Sequence, residues 1–235
     1  MPVGDIPGWH QIFADDFRTD VPTGSFPGSV YGDKWTVYPD GWKDTTGNGQ
    51  YYPSKVLSVT NGVLNMHIHT ENGIHMVAAP EPKLPGVAAG NGQLYGRYTV
   101  RFRSDAIPGY KTAWLLWPDS GMWPGDGEID FPEGNLNNTI SGFMHHQNGT
   151  WGGDQDAYST TVTYMAWHTA TIEWSPNALT FILDGQTIGT STSYVPSTPM
   201  HWVLQTETQL SGGAPSDSAA GDVQIAWVAV YAPAN

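Results

Sequence analysis

The chain has 235 residues, enough for a substantial hydrophobic core, and all-β chains of this length commonly form one domain, so we expect a single domain over 1–235. Only 13% of the residues are charged, while 28 glycines and 18 prolines suit short strands joined by tight turns and exclude a disordered chain. The formal net charge of −13 argues against nucleic acid, anionic membranes and sulfated or uronate-rich polysaccharides as partners, and the lack of cysteine excludes disulfides and thiolate metal sites.

The chain begins without a targeting pattern. The first five residues have neither a basic segment nor an apolar one, and no run of 18 apolar residues occurs anywhere. We therefore expect a soluble chain with no membrane partner and no signal peptide in this sequence, and we expect it to be a monomer.

Alternation of apolar and polar residues recurs along the chain. Residues 64–69 and 97–103 alternate in this way, as half-buried strands do. Asn61-Gly62 and Asp184-Gly185 are dipeptides typical of tight hairpin turns. Residues 223–231 are apolar on both faces, which predicts a buried central strand. Because no window of 12 or more residues has a helical period, the sequence predicts an all-β fold.

A cluster of acids interrupts this pattern, with Glu128, Asp130 and Glu133 inside six residues. On a regular strand Glu128 and Asp130 share a face and Glu133 lies on the other. Pro132 cannot donate to a central ladder, and a β-bulge there would bring all three acids to one face. Retaining hydrolysis of a glycosidic bond needs two carboxyl groups about 5–5.5 Å apart, one ionised and one protonated. Crowded negative charge raises the pKa of the acid that must keep its proton.

Two other interpretations of the acid cluster remain open. The three acids could lie on a solvated strand edge, or they could coordinate a cation such as calcium. A calcium loop usually has more oxygen ligands and more polar spacers than Ile129 and Phe131 provide. The apolar spacers therefore favour a strand.

The run Glu128-Ile129-Asp130-Phe131-Pro132-Glu133 resembles the Glu-x-Asp-x-x-Glu signature of glycoside hydrolase family 16, in its bulged, laminarinase-like form. Further similarity extends along nearly the whole chain, through Phe13-Ala14-Asp15-Asp16-Phe17, Asn48-Gly49-Gln50-Tyr51-Tyr52, Gly96-Arg97-Tyr98, Trp114-Leu115-Leu116, Trp123-Pro124, Trp167-His168-Thr169, Glu173-Trp174 and Asp184-Gly185.

The resemblance implies an antiparallel jelly-roll sandwich of two sheets, with a concave substrate cleft. It also implies endo-hydrolysis of a neutral β-1,3-glucan or mixed β-1,3/1,4-glucan by double displacement. By this similarity Glu128 would attack the anomeric carbon and Asp130 would assist it. Glu133 would protonate the leaving oxygen and then activate water.

The chain also departs from the family pattern. Where relatives often have Trp-Pro-Ala-Phe-Trp, this chain has Tyr110-Lys111-Thr112-Ala113-Trp114. The resemblance therefore does not determine the donor subsites or the exact glucan. Ala226 stands where many members have the aspartate of a structural calcium site. We therefore predict no metal ligands and no required cofactor, and we keep a structural calcium ion only as an alternative.

Eleven tryptophans provide candidates for sugar binding. Aromatic faces stack on the apolar faces of sugar rings, although a tryptophan in a sandwich is commonly part of the core. Trp114, Trp117 and Trp123 precede the acids and are the predicted platforms, with Trp123 first because it stands at the entry to the catalytic strand.

Polar candidates lie on neighbouring strands. His145 and His146 follow the acids by about one strand and a turn, so one of them should face the same sheet surface. Adjacent histidines on a strand point to opposite faces and are poor joint zinc ligands. Gln205 and Glu207 share a face, and together with Asn48 they are candidate hydroxyl binders, with a solvated strand face as the alternative for each.

Several functions compete with glucan hydrolysis. A transglycosylase would keep the same residues and transfer the sugar to another sugar, and a galactan or agarose substrate is compatible with the motif. A lectin-like carbohydrate-binding module is the alternative from another class, because the fold alone does not decide function. Since polymeric glucans lie outside most cells, the expected location is extracellular.

Overall fold

The computed structural model describes residues 1–88 and 90–234, and over these residues it contains 17 strands and two helices of four residues. The predicted single domain includes positions 89 and 235, which lie outside the described residues. The helices are α1 (Gly28–Tyr31) and α2 (Pro53–Val56). The strands, in chain order, are β1 (Trp9–Asp15), β2 (Trp35–Val37), β3 (Gly49–Tyr51), β4 (Leu57–Thr60), β5 (Val63–Glu71), β6 (Ile74–Val77), β7 (Pro80–Pro82), β8 (Gly96–Ser104), β9 (Tyr110–Pro118), β10 (Glu128–Asn135), β11 (Thr139–His145), β12 (Gln155–Thr163), β13 (His168–Ser175), β14 (Ala178–Leu183), β15 (Gln186–Ser191), β16 (Met200–Thr208) and β17 (Gly221–Pro233).

The strands form two main sheets. The ten-stranded sheet has the order β15-β14-β13-β8-β17-β5-β6-β3, with β1 beside β17 and β4 beside β5. The five-stranded sheet has the order β12-β11-β10-β9-β16, and β2 pairs with β7 in a small third sheet. Neighbouring strands are antiparallel, apart from the parallel pair β3 and β6. The prediction of an all-β antiparallel sandwich is confirmed.

The core lies between the two sheets. Phe102 of β8 packs edge-on against Trp114 of β9, and Tyr98 of β8 packs against Trp202 of β16, each pair with ring centroids 5.4 Å apart. These four side chains are at most 2% exposed. Burying one large apolar side chain contributes about 1.5–3 kcal/mol, so the inner faces hold the sheets together. The other face of the five-stranded sheet is therefore free to form a cleft.

The predicted turns and the predicted C-terminal strand are confirmed. Asn61 and Gly62 have φ angles of 53° and 74°, and Asp184 and Gly185 have 50° and 80°. Two consecutive left-handed residues are what a two-residue hairpin turn requires, and Asn-Gly and Asp-Gly adopt them readily. Strand β17 lies between β8 on one side and β5 and β1 on the other, as expected for the apolar run 223–231.

Candidate active site

A β-bulge in β10 determines which way the acids point. From Asp130 to Glu133, β10 has one more residue than either neighbour, because the facing residues on β9 and β11 are only two apart. The extra residue falls at Phe131-Pro132, where the sequence predicts it. Phe131 is 1% exposed and packs in the core, so Glu128, Asp130 and Glu133 all project from the opposite face.

These acids lie on the floor of a cleft of about 660 Å³. Besides the acids, the floor is formed by side chains of β9, β11 and β16, namely Lys111, Ala113, Leu115, Trp117, Phe143, His145, Gln205 and Glu207. Loops and chain segments around the sheet add Tyr38, Thr45, Trp123, Gly152 and Leu210, and Gln155 begins β12. The cleft thus combines carboxyl groups with aromatic walls, the combination that sugar-processing sites use.

Glu128 and Asp130 form a buried carboxyl pair. They are 7% and 3% exposed, and a carboxyl oxygen of one lies within 4.8 Å of a carboxyl oxygen of the other. Burial raises the pKa of Glu128 well above its usual value, and the charge of Asp130 adds to this. Burial likewise raises the pKa of Asp130, with the charge of Glu133 as the next cause. Two interacting acids of this kind titrate as a unit, so the pair retains a proton that both would lose in water.

The coupled pair leads to a prediction about stability. Because both pKa values are higher in the folded chain, the pair favours folding most below the unfolded pKa of about 4 and loses this contribution as pH rises through the folded values. Asp130→Asn keeps the shape and removes a carboxyl group that must take up a proton on folding at neutral pH. We expect it to raise Tm at pH 7 by about 2–4 °C, equivalent to about 1 kcal/mol, with the gain vanishing near pH 4.

Thermal unfolding followed by circular dichroism at both pH values measures this difference. The matched control is Glu71→Gln, which changes a 38% exposed carboxylate in a surface ion pair and should alter stability by less than about 0.5 kcal/mol. A Tm for Asp130→Asn that is unchanged or lower at pH 7 would contradict the buried-charge interpretation.

Of the two adjacent histidines, His145 faces the acids. Its Nε2 is 3.4 Å from Asp130 Oδ2 and 3.9 Å from Glu128 Oε2. His146 lies elsewhere, since its ring stacks on Tyr194 with centroids 5.1 Å apart and its Nε2 is 3.0 Å from an Asp156 oxygen. One of the pair, His145, shares the face of the acids, as expected. His146 points away from the cleft, so the structure does not support the prediction of His146 as a sugar binder.

The three predicted tryptophan platforms occupy two different environments. Trp117 and Trp123 line the cleft and stack on each other, with ring centroids 6.3 Å apart and an interplanar angle of 15°. Trp114 is fully buried, and its Nε1 donates to Thr206 Oγ1 at 3.4 Å inside the core. The prediction for Trp114 is therefore wrong, because residues at 114 and 117 of one strand point to opposite faces.

Trp123 is the more accessible member of the stacked pair, with 40% of its side chain exposed. If its ring holds a sugar, Trp123→Ala should raise KM for a soluble β-glucan by about tenfold, equivalent to about 1.4 kcal/mol, and change kcat little. Steady-state kinetics on laminarin measures the change, with Trp9→Ala in β1 as the matched control outside the cleft. An unchanged KM would remove Trp123 from the binding surface.

Two of the three polar candidates reach the cleft. Gln205 and Glu207 of β16 line it, and Glu207 is 2% exposed. Burial raises the pKa of Glu207, although the Thr45 backbone N–H donates to its Oε2 at 3.3 Å. Asn48 is exposed in the loop before β3 and does not line the cleft, so the structure does not support the prediction of a hydroxyl-binding role for it.

Lys111 is the charged cleft residue that the sequence did not predict as a site residue. In the sequence it marks a departure from the family run, and its side chain lies on the cleft face of β9, with its Nζ 2.5 Å from Glu133 Oε1 and 3.9 Å from Glu207 Oε1. Alternation along β9 already puts positions 111, 113, 115 and 117 on one face. That signal, combined with the pairing of β9 next to β10, could have identified it.

One group of three potential ligands converges closely enough for a metal ion among the described residues. It consists of Glu128, Asp130 and His145, whose ligand atoms lie within 4.8 Å of one another. Burial raises the pKa of both carboxyl groups, and an acid pair that keeps a proton approaches closely without a cation, so we assign no metal there. Ala226 lies at a bulge in β17 and offers no side-chain oxygen for the calcium ion that we kept as an alternative.

Neither of the helices among the described residues could cross a membrane, since each is a single short turn.

Comparison with known proteins places these features in context. The family model described as "Glycosyl hydrolases family 16" matches residues 45–229. A search of curated proteins returned no match.

Solved structures share the fold over nearly the whole chain. SCLam, a non-specific endo-β-1,3(4)-glucanase, is 20% identical, with a TM-score of 0.76 over 100% of this chain and 95% of that one. The laminarinase catalytic domain from Thermotoga maritima MSB8 is 19% identical, with a TM-score of 0.74 over 97% and 99%. Rv0315 of Mycobacterium tuberculosis, named a pseudo β-1,3-glucanase, is 21% identical, with a TM-score of 0.75 over 96% and 99%. At these identities the structural likeness establishes the fold.

Proposed function

Because the chain belongs to glycoside hydrolase family 16, we propose that it is a retaining endo-glycosidase that hydrolyses internal linkages of a neutral β-glucan. The observation that carries this proposal is the bulged strand β10, which projects Glu128, Asp130 and Glu133 together into an aromatic-walled cleft. A binding protein would not need three neighbouring carboxyl groups of which two, Glu128 and Asp130, are buried, since burial of a charge without a partner is costly. A double displacement uses such an arrangement directly.

In the first step, a Glu128 carboxylate oxygen attacks the anomeric carbon and the glycosidic C–O bond breaks. Glu133 gives its proton to the departing oxygen, so the leaving sugar departs as a neutral alcohol. In the second step, Glu133 takes a proton from water, the water oxygen attacks the same carbon, and the bond to Glu128 breaks. Two inversions restore the β configuration.

The environment of the acids supports this division of roles. Asp130 is the more deeply buried member of the carboxyl pair, so it is the better place for the shared proton. Glu128 then keeps the negative charge that a nucleophile needs. His145 lies within 3.9 Å of both acids and favours that remaining charge when it is protonated.

The charge of the cleft supports a neutral substrate. Four carboxyl groups, Glu128, Asp130, Glu133 and Glu207, line it against the single ammonium group of Lys111. A sulfate or uronate group would meet net repulsion there. The structural relatives are named for action on β-1,3- or β-1,3(4)-glucans, and we extend this substrate class to the present chain. Because polymeric glucans lie outside most cells, the proposal includes an extracellular location.

A panel of laminarin, lichenan, agarose and galactan tests this proposal, with products measured by size. We expect oligosaccharides from laminarin or lichenan and none from the galactans. Proton NMR of the first products should show the β anomer before mutarotation, and an added acceptor sugar should not become the main product. Early appearance of the α anomer would contradict retention, and predominant transfer to the acceptor would identify a transglycosylase.

A second candidate function is glucan binding without hydrolysis. The contact between Lys111 and Glu133 favours it, because a carboxylate held by an ammonium group has no proton to donate. Rv0315, a structural relative, is named a pseudo β-1,3-glucanase. Laminarin binding measured by calorimetry, with no release of reducing ends over prolonged incubation at any pH, would establish this candidate in place of the enzyme.

A further inference from the structure

Lys111 is a cation buried inside an otherwise acidic cleft. It is 5% exposed, and its ammonium group lies 2.5 Å from Glu133 Oε1 and 3.9 Å from Glu207 Oε1. Burial alone would lower the pKa of Lys111, but the charges of Glu133 and Glu207 outweigh burial and raise it. Lys111 therefore carries its charge throughout the pH range in which a glycosidase works.

The fold does not require a cation at this position. The neighbouring cleft-facing residues on β9, Ala113 and Leu115, are apolar, so this face of the strand forms without charged side chains at those positions. Removing an ammonium group from water costs several kcal/mol unless it is well paired. Lys111 is buried at that cost and contacts the proposed acid/base residue, Glu133. We therefore expect Lys111 to influence the reaction at the site.

The groups that face Glu133 come from several elements. Asp130 shares its strand, Glu207 approaches from β16, and Ser141, its partner on β11, has no charge. Tyr164, which follows β12, is neutral because burial raises the pKa of its phenol, and Glu133 adds to the rise. Lys111 is therefore the cation among the described groups around Glu133, opposing the negative charge of the acids.

We propose that Lys111 is a positioning residue that acts through Glu133, holding its carboxylate on the cleft floor and favouring the ionised form. The inference rests on the proposed retaining hydrolysis. Lys111 assists the second step, in which Glu133 must be a carboxylate that accepts a proton from water. It opposes the first step, in which Glu133 must have taken a proton from solvent to pass to the leaving oxygen. With Lys111 present, Glu133 therefore donates its proton only at lower pH than it would without the lysine.

Two synthetic substrates separate these effects. In phenyl β-laminaribioside the leaving group is phenol, which departs poorly unless it receives a proton. In 2,4-dinitrophenyl β-laminaribioside the leaving group is dinitrophenolate, which departs without protonation. For Lys111→Met with the phenyl substrate, we expect the basic limb of kcat/KM to move up by about one pH unit or more, with the rate in acid preserved. Lys111→Arg should keep the wild-type profile. With the dinitrophenyl substrate, the wild type and both variants should share one profile.

Lys55→Met is the matched control, because Lys55 is 50% exposed and belongs to a surface ion pair outside the cleft. If Lys111→Met loses activity equally at every pH, or leaves the basic limb in place, the proposal is overturned. If that variant does not fold, Lys111→Met with Glu207→Gln removes one charge of each sign and should still show an upward shift, smaller because the loss of the Glu207 charge acts in the other direction.

Failure of the proposed function would look different. A wild type that releases neither phenol overturns the hydrolase proposal and leaves Lys111 to be tested by carbon-13 NMR of the glutamate carboxyl groups. Glu133→Gln identifies the resonance of Glu133. Its protonation should move to higher pH in Lys111→Met than in the wild type, and an unchanged titration would overturn the role of Lys111.

Discussion

Replacing Glu128 with Gln is expected to reduce kcat on laminarin by at least about 1,000-fold, because the amide cannot form the glycosyl-enzyme bond of the first step. The change preserves side-chain shape and removes a carboxyl group from a buried pair, so folding should be retained or improved. Release of reducing ends at saturating substrate measures the effect, and Tm confirms the fold.

The control for Glu128→Gln is Glu81→Gln. Glu81 lies in β7, is buried to the same 7% exposure and also has its pKa raised by burial, yet it does not line the cleft. It should retain kcat within about twofold.

Glu128→Gly with added azide should regain activity on the dinitrophenyl substrate and give the α-glycosyl azide, because azide then enters from the vacated face. A Glu128→Gln protein with wild-type activity would rule out Glu128 as nucleophile.

Replacing Glu133 with Ala is expected to reduce kcat/KM by about 100- to 10,000-fold for substrates whose leaving group needs a proton. The loss should be much smaller for the first step with a 2,4-dinitrophenyl leaving group, where an enzyme intermediate accumulates because no base activates water. A burst of dinitrophenol followed by slow turnover is the measurement that reveals this. Added azide should accelerate turnover and give the β-glycosyl azide, which distinguishes this variant from the nucleophile variant.

A suitable control for Glu133→Ala is Glu173→Ala. Glu173 also pairs with a cation, Arg97, at 2.9 Å, but on the ten-stranded sheet and away from the cleft. Glu173→Ala should leave kcat/KM unchanged for both classes of substrate. An equal loss of activity of Glu133→Ala on poor and good leaving groups would show that Glu133 acts by structure or binding and does not donate the proton.

Local sequence patterns predicted much of the fold and the central part of the site. Alternation identified the strands, and the Asn-Gly and Asp-Gly dipeptides identified the hairpins, because both signals depend only on neighbouring residues. Pro132 indicated the bulge for the same reason: a proline cannot donate to a central ladder, wherever the partner strands come from. The common face of the three acids followed from that one residue.

The remaining site residues depended on contacts between distant strands. Lys111 can be identified as a site residue only once β9 is known to pair with β10 and β16. No local sequence pattern specifies that pairing. Asn48 matched a family segment, but a loop side chain has no alternation rule to fix its direction. Trp114 is a different case, because alternation along β9 already separates it from Trp117 and indicates a core position.

The buried carboxyl pair indicates that the site is maintained at some cost in stability. Glu128 and Asp130 would each favour the unfolded chain at neutral pH, where water solvates their charges. The bulge and the surrounding packing hold them together nevertheless. Sites that oppose stability in this way are commonly functional, which agrees with the assignment of β10 as the catalytic strand.

Covalent trapping tests the central claim most directly. Incubation with 2-deoxy-2-fluoro-β-laminaribiosyl fluoride should slow the second step and leave a glycosyl-enzyme that intact-protein mass spectrometry detects. Peptide mapping is predicted to place the label on Glu128, and Glu128→Gln should remain unlabelled. Label on Glu133 or on any other residue, or active enzyme that never accumulates label, would contradict the assignment of Glu128 as the nucleophile.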